Sequence, residues 1–149
     1  MRFDQRIEVK AGPEEVWAFL WEVERVARCL PGCQEVRETE PQKKYDVVVE
    51  QRVGQFKVRF NMAVSIVDME AQRFVRLLSE GQEKKLGAST RGELEVKLEP
   101  IPSGGTALEI GSDIQVVGKI AAFGQAIIKR KARQVMDGFG QALVAELER

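Results

Sequence analysis

The residues best able to do chemistry are few. Cys29 and Cys33 stand four apart in the string CLPGC, and the chain has no histidine to accompany them. Two thiols cannot close a structural zinc site, which takes four cysteine or histidine ligands. A redox pair is the functional reading of this spacing, and inert, half-buried thiols are the plainer one. Without histidine the commonest general base is missing, and so are the Ser-His and Cys-His nucleophile pairs. No HExxH, P-loop or GxGxxG occurs. Glu93 and Glu95 share a strand face and read as surface charge. Gly81, Gly87 and Gly92 have the wrong spacing for a phosphate loop and read as bulges or bends in a curled sheet. The expectation is no metal and no cofactor, and it leans against an enzyme.

Five polar groups are candidates to orient the head of a ligand: Tyr45, Gln51, Asn61, Ser112 and Lys131. Those on strands depend on register, because a one-residue slip reverses every facing. The run Lys129-Arg130-Lys131-Ala132-Arg133 is basic. It reads as a solvated helix face, or as a contact for anionic lipid headgroups or an acidic partner.

Composition narrows the class. The chain has 149 residues, 23 basic and 23 acidic, with a formal net charge of zero. That length suits one domain spanning residues 1–149. A zero balance argues against a nucleic-acid partner of the usual basic kind. No 18-residue apolar run is present, so no membrane-spanning helix is expected. The charged, alternating start reads as a strand rather than an export signal. With so few cysteines, a reducing cytoplasm is the expected location.

The elements that must position these groups follow from periodicity. Residues 2 to 10 alternate as a half-buried strand. Pro13 opens a short helix with Glu14 and Glu15 in its first turn. A second short helix spans roughly Glu24 to Cys29 and stops at Leu30-Pro31-Gly32. Six strands then run at Cys33–Glu40, Tyr45–Val53, Phe56–Ile66, Arg73–Gly81, Leu86–Glu99 and Thr106–Val117. A proline-free segment from Gly118 to Leu147 predicts one long helix. A curled sheet of about seven antiparallel strands has one apolar face to cover, and only this helix is long enough. The predicted fold class is α+β, a curved sheet gripping a C-terminal helix.

The residues that could line a space between helix and sheet are Phe56, Val58, Phe60, Met62, Val64 and Ile66, with Leu108, Ile110 and Ile114. On the helix they are Ile120, Phe123, Gly124, Ile127, Val135 and Phe139. Each alone reads as core. Together, under one helix carrying Gly124, Gly138 and Gly140, they read as the wall of a cavity. Empty apolar space reduces stability by roughly 24 cal/mol per Å³, so a large cavity implies an occupant.

Four strings then carry a family resemblance: LPGCQEV at 30–36, VGQFKVRF at 53–60, GGT at 104–106 and GKIAAFGQAIIK at 118–129. In this order and spacing they resemble the CoxG-like family, named for the G subunit of carbon monoxide dehydrogenase. That family belongs to the START-like (START/Bet v 1-like) helix-grip superfamily, SRPBCC. The resemblance runs from Phe3 to about Leu147. It implies a deep apolar cavity between helix and sheet, in a superfamily whose members bind lipids, sterols, polyketides or other hydrophobic molecules. The family's namesake is associated with maturation or membrane recruitment of a molybdenum carbon monoxide dehydrogenase. The resemblance therefore implies a hydrophobic small molecule as ligand, with a molybdenum hydroxylase or the inner membrane face as partner. Two other readings stay open: a polyketide cyclase or aromatase-like enzyme, and an interaction module with a filled core.

Overall fold

The structure, a computed structural model, describes residues 1–148. Seven strands are joined with three short helical elements and one long helix. Strand β1 (Arg2–Val9) leads into helix α1 (Pro13–Leu20) and helix α2 (Val23–Cys29). Strands β2 (Cys33–Glu40), β3 (Lys44–Val53), β4 (Phe56–Glu70), β5 (Phe74–Glu83), β6 (Ala88–Pro100) and β7 (Thr106–Gly118) follow. A 3-10 turn (Lys119–Phe123) precedes helix α3 (Gln125–Leu147).

The strands form one antiparallel sheet in the order β1-β7-β6-β5-β4-β3-β2. Sequential hairpins produce the run from β2 to β7, and β1 closes onto β7 with Phe3 opposite Ser112. The fold class and the seven strands are as the alternation predicts. Strand β4 runs past the expected turn to Glu70, because a register shift between Ile66 and Asp68 lets it bend and keep pairing with β5. Gly81 and Gly92 are not bulges: each sits in unbroken register, opposite Thr90 and Ser79 respectively. Gly87, with φ of 63°, belongs to the β5–β6 hairpin turn.

The long helix is interrupted. Gly118 and Gly124 take φ of 105° and 96°, a region that penalises any Cβ. They bracket the 3-10 turn and set it at an angle the ladder of one helix could not follow. Helix α3 therefore starts at Gln125 and its 23 residues run about 34 Å at 1.5 Å per residue. Its backbone comes close to β1, to α2 and to β3.

Candidate ligand-binding site between helix and sheet

Two separate apolar clusters hold the helix on the sheet. The larger lies at the α1–α2 end and joins Phe3, Val16, Phe19, Val96, Leu98, Leu108 and Ile110 to Met136 and Leu143 of α3. The smaller lies at the other end, where Val53, Val58 and Ala88 enclose Ile120 of the 3-10 turn. Phe56 and Phe123 extend it with ring centroids 5.6 Å apart.

Between these clusters run two rows of inward side chains. One row is Tyr45, Val64, Ser79, Gly92 and Ile114; the other is Val47, Met62, Gly81, Thr90 and Val116. Val47, Met62 and Val64 pack into neither cluster, and all three are half-buried although they face α3. A sheet centre beneath a helix is ordinarily the driest part of such a domain. Here it carries glycine and serine at Gly81, Gly92 and Ser79, and its larger side chains stay partly open. A Cβ at Gly81 would stand 2.9 Å from Met62 Cγ and from Thr90 Cγ2, and one at Gly92 3.0 Å from Ser79 Oγ, so neighbouring side chains close over both glycines and the openness lies at Val47, Met62 and Val64.

The helix glycines do not make room beneath α3. A Cβ at Gly138 would stand 2.8 Å from Cγ of Pro31, and one at Gly140 would run into the Gln5 amide. That amide donates to the Met136 carbonyl at 2.9 Å. Both glycines are thus close-approach points for other parts of the chain. Gly124 lies outside the helix, exposed, with nothing near its missing Cβ, and so does not enlarge the gap. Ile127, expected in the wall, turns outward and is 44% exposed. Val135 and Phe139 are half-buried. Ala132, Met136 and Leu143 pack toward the sheet as well and are not among the expected wall residues.

The predicted wall divides accordingly. Leu108, Ile110, Val58 and Ile120 are sealed inside the two clusters. Phe60, Met62, Val64, Ile66 and Ile114 are half-buried on the inner face, and Phe56 and Phe123 close the far end.

The polar candidates also separate. Asn61 points to the outer face of the sheet and is exposed, since its neighbours Met62 and Phe60 take the inner positions. The Ser112 hydroxyl donates to the Phe3 carbonyl at 3.3 Å. The Gln51 amide donates to the Pro31 carbonyl at 2.5 Å. Tyr45 faces inward and is buried, and its hydroxyl has no hydrogen bond of ordinary geometry among the described residues. Burial, then the nearby Glu38 carboxylate, pushes its pKa up to about 12. It is a neutral group at any physiological pH. Lys131 is half-buried at the flank of α3.

The gap has a side opening. A cleft of about 230 Å³ lies between β7 and the start of α3, lined by Met1, Ile114, Val116, Ala121, Gln125 and Ile128. Just before β1, the Met1 backbone pairs with Ile114 of β7 beside this cleft.

A family model for the G subunit of carbon monoxide dehydrogenase (CoxG) matches residues 6–148. The chain belongs to that family. Among solved structures, a conserved protein from Geobacillus kaustophilus superposes with a TM-score of 0.86 at 23% identity, over 99% of this chain and 95% of that one. The Zhui aromatase/cyclase from Streptomyces sp. R1128 superposes with a TM-score of 0.73 at 14% identity, covering 99% and 93%. A START superfamily protein from Mycobacterium smegmatis gives 0.69 at 14% identity, covering 98% and 96%. These likenesses establish the helix-grip fold. No protein of curated function matches the chain in sequence.

In this CoxG family member both thiols of CLPGC are free. Cys29 is buried with Sγ directed at the Arg25 carbonyl, Cys33 is half-buried, and burial raises both pKa values. No group of three or more acidic, cysteine or histidine side chains suited to a metal occurs among the described residues. No helix among them is long and apolar enough to cross a membrane. A second depression, about 800 Å³, lies on the outer face of the sheet, where the ion pairs Arg37–Asp46 and Arg91–Glu80 cross it.

Proposed function

We propose that this protein is a non-enzymatic carrier. It holds a hydrophobic molecule, lipid-like or quinone-like, between α3 and the sheet. It acts at the cytoplasmic side of the membrane, assisting maturation or membrane recruitment of a molybdenum carbon monoxide dehydrogenase-type enzyme. The observation that carries the reading is the pair of half-open rows between two packed clusters. Fully burying a side chain such as Val47, Met62 or Val64 is worth about 1.5–3 kcal/mol, and an apolar ligand supplies that burial.

The polar groups favour binding over catalysis. Ser112 and Gln51 are committed to backbone carbonyls, and the Tyr45 hydroxyl is sealed. None is poised to move a proton on a bound molecule.

Native mass spectrometry tests the binding half, using the purified chain incubated with a long-chain isoprenoid quinone or a phospholipid. A saturable one-to-one adduct is expected, and absence of any saturable adduct contradicts the reading. The enzyme-assisting half is tested by size-exclusion chromatography of the chain mixed with a molybdenum carbon monoxide dehydrogenase. Comigration is expected; separate elution with and without quinone removes that half alone.

A further inference from the structure

Ion pairs on this protein are unevenly placed. Along the strands Arg6, Arg37, Arg59, Arg91 and Lys97 each face a carboxylate within 4.0 Å. At the end that holds the 3-10 turn Lys57 pairs with Glu50 at 3.3 Å, but six further cations do not meet a carboxylate. Arg52, Lys84, Lys85, Lys119, Lys129 and Arg130 are all exposed, and none makes an ion pair among the described residues. They sit on the β3–β4 hairpin, the β5–β6 hairpin, the 3-10 turn and the first turns of α3.

These segments form one surface. A Cβ at Gly54 in the first hairpin would lie 3.8 Å from the Phe123 ring of the 3-10 turn. Gly118 abuts the Gly87 carbonyl of the second hairpin. Arg52 is paired across the ladder with Lys57, a like-charge facing that a sheet normally avoids. The acidic residue of the second hairpin, Glu83, is buried and spent on the amides of Lys85 and Leu86.

Exposed apolar groups stand among these cations, with Val117 turned to the outer side of β7. Val117 is 59% exposed and Ile127 44% exposed, with Ala121 and Ala122 open beside them. The cleft into the gap opens at the same place, lined by Val117, Ala121 and Ile128. The opposite end carries exposed Glu14, Glu15 and Glu24 at the starts of α1 and α2, with exposed Lys10 before α1 and Arg28 in α2, and none of the five makes an ion pair among the described residues.

We propose that this end docks on an anionic phospholipid surface, with Val117 and Ile127 entering the interface and the cleft facing the bilayer. Unpaired lysine and arginine with exposed apolar groups among them fit a lipid surface, where each cation near the headgroups contributes and apolar tips insert. An acidic protein would meet the cations but leave the exposed apolar groups without a role. The docking itself stands without the carrier reading; only the purpose of the cleft's orientation rests on it.

The test is vesicle co-sedimentation of the full chain at low salt, with phosphatidylcholine vesicles alone and with about 30% phosphatidylglycerol added. Binding is expected only with the anionic lipid, and is expected to fall steeply at 0.5 M salt (on the order of a 4 Å screening length). A Lys84→Glu/Lys85→Glu/Lys129→Glu/Arg130→Glu variant is expected to lose at least about tenfold in vesicle affinity. An Ile127→Ser variant is expected to weaken it severalfold, and a Lys10→Glu control leaves it unchanged. Circular dichroism and solution binding of an apolar dye, retained in all variants, separate failed docking from failed folding or failed carriage. Equal binding to neutral vesicles, no vesicle binding, an unaffected quadruple variant, or attachment to polyglutamate without attachment to vesicles would each overturn the proposal.

Discussion

Pro31 seats its ring over Gly138. Cγ of the proline lies 2.8 Å from where a Cβ of residue 138 would stand. On its other side the proline carbonyl accepts the Gln51 amide at 2.5 Å. The loop that ends α2 is thus clamped between α3 and β3.

Gly138→Val therefore drives a branched side chain into Pro31. Overpacking of this kind costs about 1–3 kcal/mol, of which the better helix propensity of valine over glycine offsets only a few tenths. Urea unfolding is expected to show a midpoint lowered by that amount. The loss falls on stability: apolar dye binding by the folded fraction persists.

Truncation at the helix's packed stripe tests the larger cluster. Leu143 is 1% exposed and Met136 8% exposed. Leu143→Ala is expected to cost about 2–5 kcal/mol. Ile127→Ala, on the exposed side of the same helix, is expected to change thermal unfolding by less than about 0.5 kcal/mol.

Tyr45 is the only tyrosine, so phenolate absorbance reports it alone. Its pKa is raised from 10 to about 12 by burial and by Glu38. A pKa raised in the folded state contributes stability below pH 10 that is lost as pH climbs toward 12. The shift corresponds to about 2–3 kcal/mol at that end of the range. Native protein is expected to titrate near 12 and urea-unfolded protein near 10. In Tyr45→Phe the alkaline loss of stability is smaller, because the group that titrates is gone. A native titration near 10 would contradict the burial of this group.

Much of this fold is readable from periodicity and punctuation. Alternation at Phe56–Ile66 and Thr106–Val117 places the inward residues where the register puts them. Pro13, Leu30-Pro31-Gly32 and Ser103-Gly104-Gly105 end or start elements because their backbones allow little else. Periodicity misleads where the phase of the helix changes. Gly118 and Gly124 bracket five residues, and a helical wheel begun at 118 carries its angle through a break that resets it. That is why such a wheel turns Ile127 inward and passes over Met136 and Leu143. The site is harder still. Gly81 and Gly92 look like bulges in a string, and only pairing shows them facing α3 in line with Ser79 and Thr90. The clamps at Gly138 and Gly140 join residues more than a hundred positions apart, and no local pattern announces them.

The central claim is that the sheet beneath α3 leaves a space an apolar molecule occupies. Ser79, opposite Gly92 and half-buried in the middle row, is the position at which to fill it. The decisive measurement is a fluorescence titration of an apolar dye into wild-type protein and Ser79→Leu, alongside urea unfolding of both. The account predicts a saturable site in the wild type, at least about tenfold weaker binding in Ser79→Leu, and stability equal to or above wild type. That loss corresponds to the roughly 1.4 kcal/mol that defines a tenfold change. Unchanged dye binding in a folded Ser79→Leu, or no saturable site in the wild type, would contradict it.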